Sequence, residues 1–342
     1  MNIPSHVSAF QVLLLQAADE GRGPILFGDN LARAREALQP FMVGNTFPNV
    51  YLEHPLKGDP FLDVTVLYGS FAPGTRIASE AAAGTETLID WFASLPDMGD
   101  VCFGFELDTE LEELPPAAIH FQPRTHTELV EPFCEAIGEP ERAKLYLDLV
   151  ARMPEGWPLS FFGLFRGRPN SPLRVCGYPD RDEVDTCGKD PQHLRDVFDE
   201  LGFTAYNDTM LEQVATLMAL GTRSIDFQFD VYPDGSLGNT FAIDLQFGIE
   251  QPESVRETFT DGIGARLMKQ LESWGVADSR WQLGVQSAFA RAIPVELDDG
   301  ALGRFAFTLV PQWVKARWTD GVLQPAKLYL YATATLFDER NE

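Results

Sequence analysis

Apolar and polar residues alternate strictly along Ile225–Tyr232 and again along Thr240–Phe247, and Pro233, Asp234 and Gly235 lie between the two runs. Alternation with a period of two sends successive side chains to opposite faces of a strand, and a Pro-Asp-Gly segment suits a turn, so the pair predicts a β-hairpin. Four further pairs of runs carry strand-type patterns: Val50–Glu53 with Asp63–Gly69, Val101–Asp108 with Ala118–Arg124, Leu159–Gly167 with Leu173–Tyr178, and Arg304–Trp318 with Ala326–Phe337. The segments between pairs read as helix. Ser79–Leu95 carries an apolar stripe of Leu88, Ile89, Trp91, Phe92 and Leu95, and Thr127–Ile137 and Pro140–Met153 are broken at Gly138. Pro191–Leu201 and Asp208–Leu220 follow, with Asp208 as the expected N-cap, and then Glu253–Trp274 and a last helix around Ser279–Phe289.

A hairpin covered by a helix buries only one of its faces, but several can close into one sheet. The pattern therefore predicts an α+β fold: a ten-stranded antiparallel β-barrel surrounded by helices, made of five αββα repeats in a single domain over residues 1–342. Its apolar faces pack under the helices and its polar faces line the interior. Eight strands make a barrel that side chains can just fill, so ten leave room for a ligand.

Composition narrows the partners. Acidic residues number 51 against 26 basic ones, a net charge of −25, which repels nucleic acids and anionic membranes. Met1–Ala18 lacks the basic start and cleavage site of a signal peptide and reads as an amphipathic helix, and no apolar run reaches the roughly 20 residues that span a bilayer. Cys102, Cys134, Cys176 and Cys187 form no C-x-x-C pair, the five histidines are dispersed, and a cytoplasmic protein with reduced thiols and no zinc motif is expected. Gly262-Ile-Gly264 lacks the preceding strand of a dinucleotide fingerprint, and there is no P-loop or nucleophile elbow.

The αββα succession, together with Phe229-Asp-Val-Tyr-Pro-Asp-Gly235 and Lys327-Leu-Tyr329, resembles the ABBA prenyltransferases, whose fold is the PT barrel. The likeness is to the bacterial branches that prenylate aromatic small molecules or ribosomal peptides in natural-product biosynthesis. It implies an allylic diphosphate, dimethylallyl or geranyl, that ionises in the lumen and alkylates an aromatic or peptide acceptor. Such chemistry needs cationic donors for the departing diphosphate, aromatic faces around the carbocation and a base for the acceptor's proton. The resemblance and the inward strand phase together nominate Arg166, Arg174, Lys315, Arg317 and Lys327 for the diphosphate, with Tyr178, Tyr329 and Tyr331 as hydroxyl donors and shields. Glu53 is the first candidate for the base and Glu106 the second.

The fourth hairpin departs from that pattern. It turns Asp226, Gln228, Asp230, Asp244 and Gln246 inward and offers no lysine or arginine. Asp226, Asp230 and Asp244 are open to several readings: a Mg²⁺ that bridges to diphosphate, a cationic peptide or amine substrate, or ion pairs across the lumen to Lys315, Arg317 and Lys327. A non-catalytic barrel that binds a peptide or small hydrophobic ligand, or a different peptide-maturation enzyme, is the alternative to a transferase.

Overall fold

The computed structural model describes residues 28, 30–43, 49–96, 98–109, 113–168, 170–249, 252–296 and 302–338, so the helix expected over Met1–Ala18 lies outside the described residues. Its strands are β1 (Asn49–Pro55), β2 (Asp63–Tyr68), β3 (Cys102–Leu107), β4 (Ala118–Gln122), β5 (Leu159–Leu164), β6 (Leu173–Gly177), β7 (Ser224–Val231), β8 (Leu237–Gln246), β9 (Phe289–Glu296), β10 (Leu302–Thr319), β11 (Val322–Leu323) and β12 (Lys327–Asp338). Strands β1 to β8 pair antiparallel in chain order. β8 then pairs with β10, β10 with β12, and β12 returns to β1, which closes a ten-stranded antiparallel barrel. The two remaining strands are additions to β10.

The helices are α1 (Asn30–Leu38), α2 (Glu86–Ser94), α3 (Val130–Ala136), α4 (Glu141–Val150), α5 (Arg181–Cys187), α6 (Pro191–Leu201), α7 (Asp208–Ala219), α8 (Pro252–Thr260), α9 (Ile263–Ser273) and α10 (Trp281–Gln286). None of them is long and apolar enough to cross a membrane.

Several local expectations need correction. Asn207, not Asp208, caps α7, its side chain accepting a hydrogen bond from the Met210 N–H, while its amide group reaches Gly321 O. The single helix expected over Glu253–Trp274 is two, with Gly262 as the residue before α9. The last helix is short, and the chain enters β9 at Phe289, pairing with the first half of β10. At 18 residues β10 outruns the barrel, and its projecting half offers backbone groups that β9 satisfies. Pro294 is tolerated there because β9 is an edge strand.

Val50, Leu52, Phe103, Phe105, Ile119 and Phe121 face outward and are fully buried under the helices. Phe121 stacks face to face on Phe133 of α3 at 4.1 Å, and a second cluster joins Phe198 of α6 to Phe229, Phe241 and Phe203. Full burial of such side chains contributes about 1.5–3 kcal/mol each. This outer layer sets strand register, because a slip of one residue would turn every one of these aromatics into the lumen. The same register commits the alternate, polar positions to the interior. Gly104 is required where β2 and β3 come close, since a Cβ there would lie 2.0 Å from Val66 O.

Candidate active site in the barrel lumen

One end of the lumen is lined by Glu53, Glu106, Arg168, Arg174, Asp230, Lys315, Arg317 and Lys327. Lys327, at the start of β12, donates to Glu53 Oε2 at 3.1 Å and Asp63 Oδ2 at 3.3 Å. Register explains the meeting: Glu53 lies opposite Asp63 across β1 and β2, and Lys327 opposite Pro55 across β1 and β12. Burial works against the lysine's charge, but the two carboxylates outweigh it and raise its pKa above the ordinary value. Asp63, whose other oxygen accepts from the Thr109 N–H, is pushed up to about 8 by burial against the pull of Lys327.

Glu106 is fully engaged. One oxygen meets His120 Nε2 at 2.9 Å and the other accepts from Arg168 at 3.1 Å. Burial would raise its pKa, but the His120 hydrogen bond and the charges of His120, Arg168 and Arg174 hold it well below the carboxylate range. Arg174 grips Asp230 through Nε at 2.9 Å and Nη2 at 3.3 Å, and the guanidinium groups of Arg168 and Arg174 lie 4.0 and 4.3 Å from the Phe165 ring centroid. Arg317 differs from these. It carries no ion pair among the described residues, lies exposed at the mouth, and has its pKa lowered by partial enclosure and by repulsion from Arg174 and Arg168. A cation without an ion pair among the described residues, beside two other guanidinium groups, makes this end of the lumen electrostatically suited to an anion.

Farther along the barrel a second cavity, of about 230 Å³, is lined by Tyr51, Phe161, Tyr178, Trp313 and Tyr329 among polar groups. Glu53, Glu106, Gln228, Lys315 and Tyr329 line both spaces, so the two adjoin. Aromatic rings run along one wall: Tyr331 stacks on Tyr51 at 4.8 Å, Tyr51 meets Trp313 at 4.6 Å, and Trp313 stacks on Tyr329 at 4.9 Å. Lys315 sits 5.0 Å from the Tyr329 ring centre.

Asp226 of β7 and Asp244 of β8 face each other in cross-strand register in this cavity. A hydrogen bond joins the two carboxyl groups, Gln228 donates to Asp244 at 2.8 Å, and Lys315 Nζ lies 3.7 Å from Asp244. Burial first, and then the charge of Asp244, lift Asp226 far above the carboxylate range, while burial pushes Asp244 up to about 6. Both shifts favour the protonated form, which biases the pair toward sharing one proton. A folded-state pKa raised above the unfolded value contributes stability that is complete below the ordinary carboxylate pKa and disappears as pH rises through the raised value. The parent protein is expected to lose stability as pH rises above about 4, the loss through Asp244 finishing near pH 6 and that through Asp63 near pH 8. Asp226→Asn, which hydrogen-bonds to Asp244 without a shared proton, flattens the earlier part of that loss. Parallel melting-temperature profiles for the two proteins would refute the shared proton.

Several expected positions change. Arg166 is not in the lumen: it turns to the outer face and pairs with Glu139 at 3.5 Å, because it has the outward phase of Phe162 and Leu164. Tyr178 and Tyr331 lie four residues along their strands from Arg174 and Lys327, about 13 Å at roughly 3.3 Å per residue. They belong to the aromatic wall rather than to the cationic end. Asp230 is occupied by Arg174, and Lys315 stands beside Asp244, so Asp226, Asp230 and Asp244 do not converge as hard ligands and do not fit a Mg²⁺ ion. Of the ion pairs expected for the acidic hairpin, only Lys315 with Asp244 forms; Asp230 pairs with Arg174 instead, and Lys327 pairs with Glu53 and Asp63.

Sequence reasoning did not select Arg168, Asp63, His120, Arg124 or Trp313. His120 and Arg124 carried the correct inward phase, a usable signal. Arg168 had none, since it follows a turn in which its N–H bonds to Phe165 O, beyond the end of β5. Outside the lumen, Glu183 and Cys187 of α5 and His193 of α6 bring their ligand atoms within 4.8 Å, a cluster without a sequence motif. Glu183 Oε2 there accepts from Trp157 and meets His193, both at 2.9 Å.

No protein-family model and no curated protein matches the sequence. Similarity appears among solved structures. 5-Dimethylallyltryptophan synthase from Streptomyces coelicolor is 14% identical, with 96% of this chain and 97% of that chain covered and a TM-score of 0.57. The same synthase in complex with DMASPP and Trp is 14% identical, with 96% and 95% covered and a TM-score of 0.53. The apo form of the prenyltransferase PriB is 13% identical, with 96% of each chain covered and a TM-score of 0.55. These likenesses run almost end to end in both partners, and the chain has the PT-barrel fold.

Proposed function

We propose that the protein transfers a prenyl group from an allylic diphosphate to an aromatic acceptor inside the barrel. The observation that carries this reading is the union, in one closed lumen, of a cationic end containing Arg317, which has no ion pair among the described residues, with a wall of stacked aromatic rings. In the fold-mate that holds them, the ligands are DMASPP and Trp, a donor and an aromatic acceptor of this kind.

The donor's diphosphate lies against Arg317, Arg174, Arg168 and Lys327, with Lys315 at the junction of the two spaces. The allylic C–O bond breaks heterolytically, and the diphosphate leaves with the electron pair as these cations stabilise its growing charge. Tyr329, Trp313 and Tyr51 present π-faces to the allylic cation, each such contact contributing about 0.5–2 kcal/mol, and keep water from it. The acceptor supplies the electron pair of the new bond, and its displaced proton passes to Glu53. Glu53 is better suited than Glu106, both of whose oxygens are held by His120 and Arg168. The residues described provide no Mg²⁺ cage, so the diphosphate is held by side-chain cations.

Calorimetric titration with dimethylallyl, geranyl and farnesyl diphosphates, with and without Mg²⁺, tests the reading. Binding is expected without the metal. Arg317→Ala should weaken it about tenfold or more, the value of one charge-assisted contact, with an unchanged melting temperature because no carboxylate is orphaned. Failure to bind any of the three would remove the transferase reading and leave the fold intact.

A further inference from the structure

We propose that Glu183, Cys187 and His193 form a Zn²⁺ site on the outer helical layer, outside the lumen and independent of the transferase reading. One ligand atom from each residue lies within 4.8 Å of the other two. Two helices deliver them. Glu183 and Cys187 stand one turn apart on the same face of α5, and His193 lies in the first turn of α6. The connection between these helices is tightly placed. A Cβ on Gly188 would lie 2.9 Å from Ala219 N of α7, and Asp190 caps α6 by accepting from the Gln192 N–H at 3.0 Å. Glu183 is also positioned from outside the trio. Trp157, fully buried against Phe227 of β7, donates to Glu183 Oε2 at 2.9 Å. On another side a Cβ at Gly156 would lie 2.5 Å from Glu183 Cγ, so the backbone there confines the stem of the side chain. Metal sites orient their carboxylate ligands through outer donors of this kind.

The donor set selects the ion. One thiol, one imidazole and one carboxylate suit Zn²⁺, whereas Mg²⁺ and Ca²⁺ are held by several oxygens. A Glu–His hydrogen bond would account for two of the three side chains, but not for a buried thiol turned toward both. The site opens on one side: the Glu183 and His193 side chains are 24% and 34% exposed, while Cys187 is fully buried. An ion therefore enters past the carboxylate and the imidazole and meets the sulfur at the floor. Bonds of about 2.0–2.3 Å draw the three ligand atoms together through side-chain rotation, and water takes the fourth position. Burial, and then the charges of Glu183 and Asp190, push the Cys187 thiol up to about 12, so its proton leaves to solvent as the Zn–S bond forms. The bound ion bridges α5 to α6 and, through Trp157, ties both to the barrel wall.

Calorimetric titration of the reduced, metal-free, full-length protein with Zn²⁺ tests the site. One ion should bind per chain and raise the melting temperature. Cys187→Ser and His193→Gln should each weaken binding about a hundredfold or more, and Trp157→Phe, which keeps a ring and loses the donor, about tenfold. Circular dichroism without metal checks that the variants are folded. Co²⁺ supplies a readout that a purely structural trio would not produce: a thiolate-to-metal charge-transfer band in the parent, absent from Cys187→Ser. That band is read on the parent, so it decides the matter even where a variant is unstable. No saturable Zn²⁺ binding by the parent, parent-like affinity in both Cys187→Ser and His193→Gln, or a Co²⁺ complex without the thiolate band would overturn the proposal.

Discussion

Turnover by Glu53→Gln falls by about 10²–10⁴-fold, the usual contribution of a general base, while prenyl diphosphate binds as well as before or better. The amide preserves shape and cannot take the acceptor's proton. It also removes one negative charge beside Lys327, which leaves that lysine to Asp63 and makes the end of the lumen more attractive to an anion. Donor affinity and turnover thus move independently, which a purely structural glutamate would not produce. Single-turnover rates together with calorimetric donor affinity are the measurement. A parent-like rate would place the base elsewhere. Glu106→Gln is a poor substitute for this experiment, because it takes a charge from His120 and Arg168 together and so perturbs the cationic end itself.

Lys327→Ala is expected to cost about 3–5 kcal/mol of stability as well as donor affinity, because it strands two buried carboxylates that one ammonium now serves. The loss has a pH signature. Asp63 is already pushed up to about 8 with Lys327 present, and without it the burial penalty is unopposed. Protonation of Asp63 relieves the variant in part, so the difference from the parent shrinks as pH falls. Combining Lys327→Ala with Glu53→Gln and Asp63→Asn should restore much of the stability without restoring donor binding. Denaturant unfolding across pH reads the first effect and calorimetry the second. A single variant within about 1 kcal/mol of the parent would show that Lys327 is not the hub of this end.

The inward side chains were legible to different degrees. Glu53, Lys327 and Tyr329 lie inside regularly alternating strands, and their phase alone sends them to the lumen. Asp226 and Asp244 were legible as an acidic pair of positions, but their cross-strand meeting depends on the register of β7 with β8. Arg166 misleads because it stands past the end of β5, where strand phase gives it the outward direction of Leu164, and Arg168 replaces it through a turn. Phase also says nothing about depth along the barrel. Tyr178 and Tyr331 share the inward face with the diphosphate candidates and yet sit at the aromatic end.

Local pattern determined the closed barrel almost completely, because period-two strands with one apolar face and helices with one apolar stripe bury those faces in few ways. Within the strands it also determined which side chains enter the lumen. Only the tertiary structure decided which of them touch. Partners such as Lys327 and Glu53, or Arg174 and Asp230, are far apart in sequence, and their meeting follows from register and from the closure of β12 on β1. Closure likewise brings Lys315 of the fifth hairpin within 3.7 Å of Asp244 of the fourth, leaving Arg317 without an ion pair among the described residues and Asp226 with a raised pKa beside Asp244. Charge pairing acts over a few ångströms, and such distances between remote strands exist only once the sheet has closed.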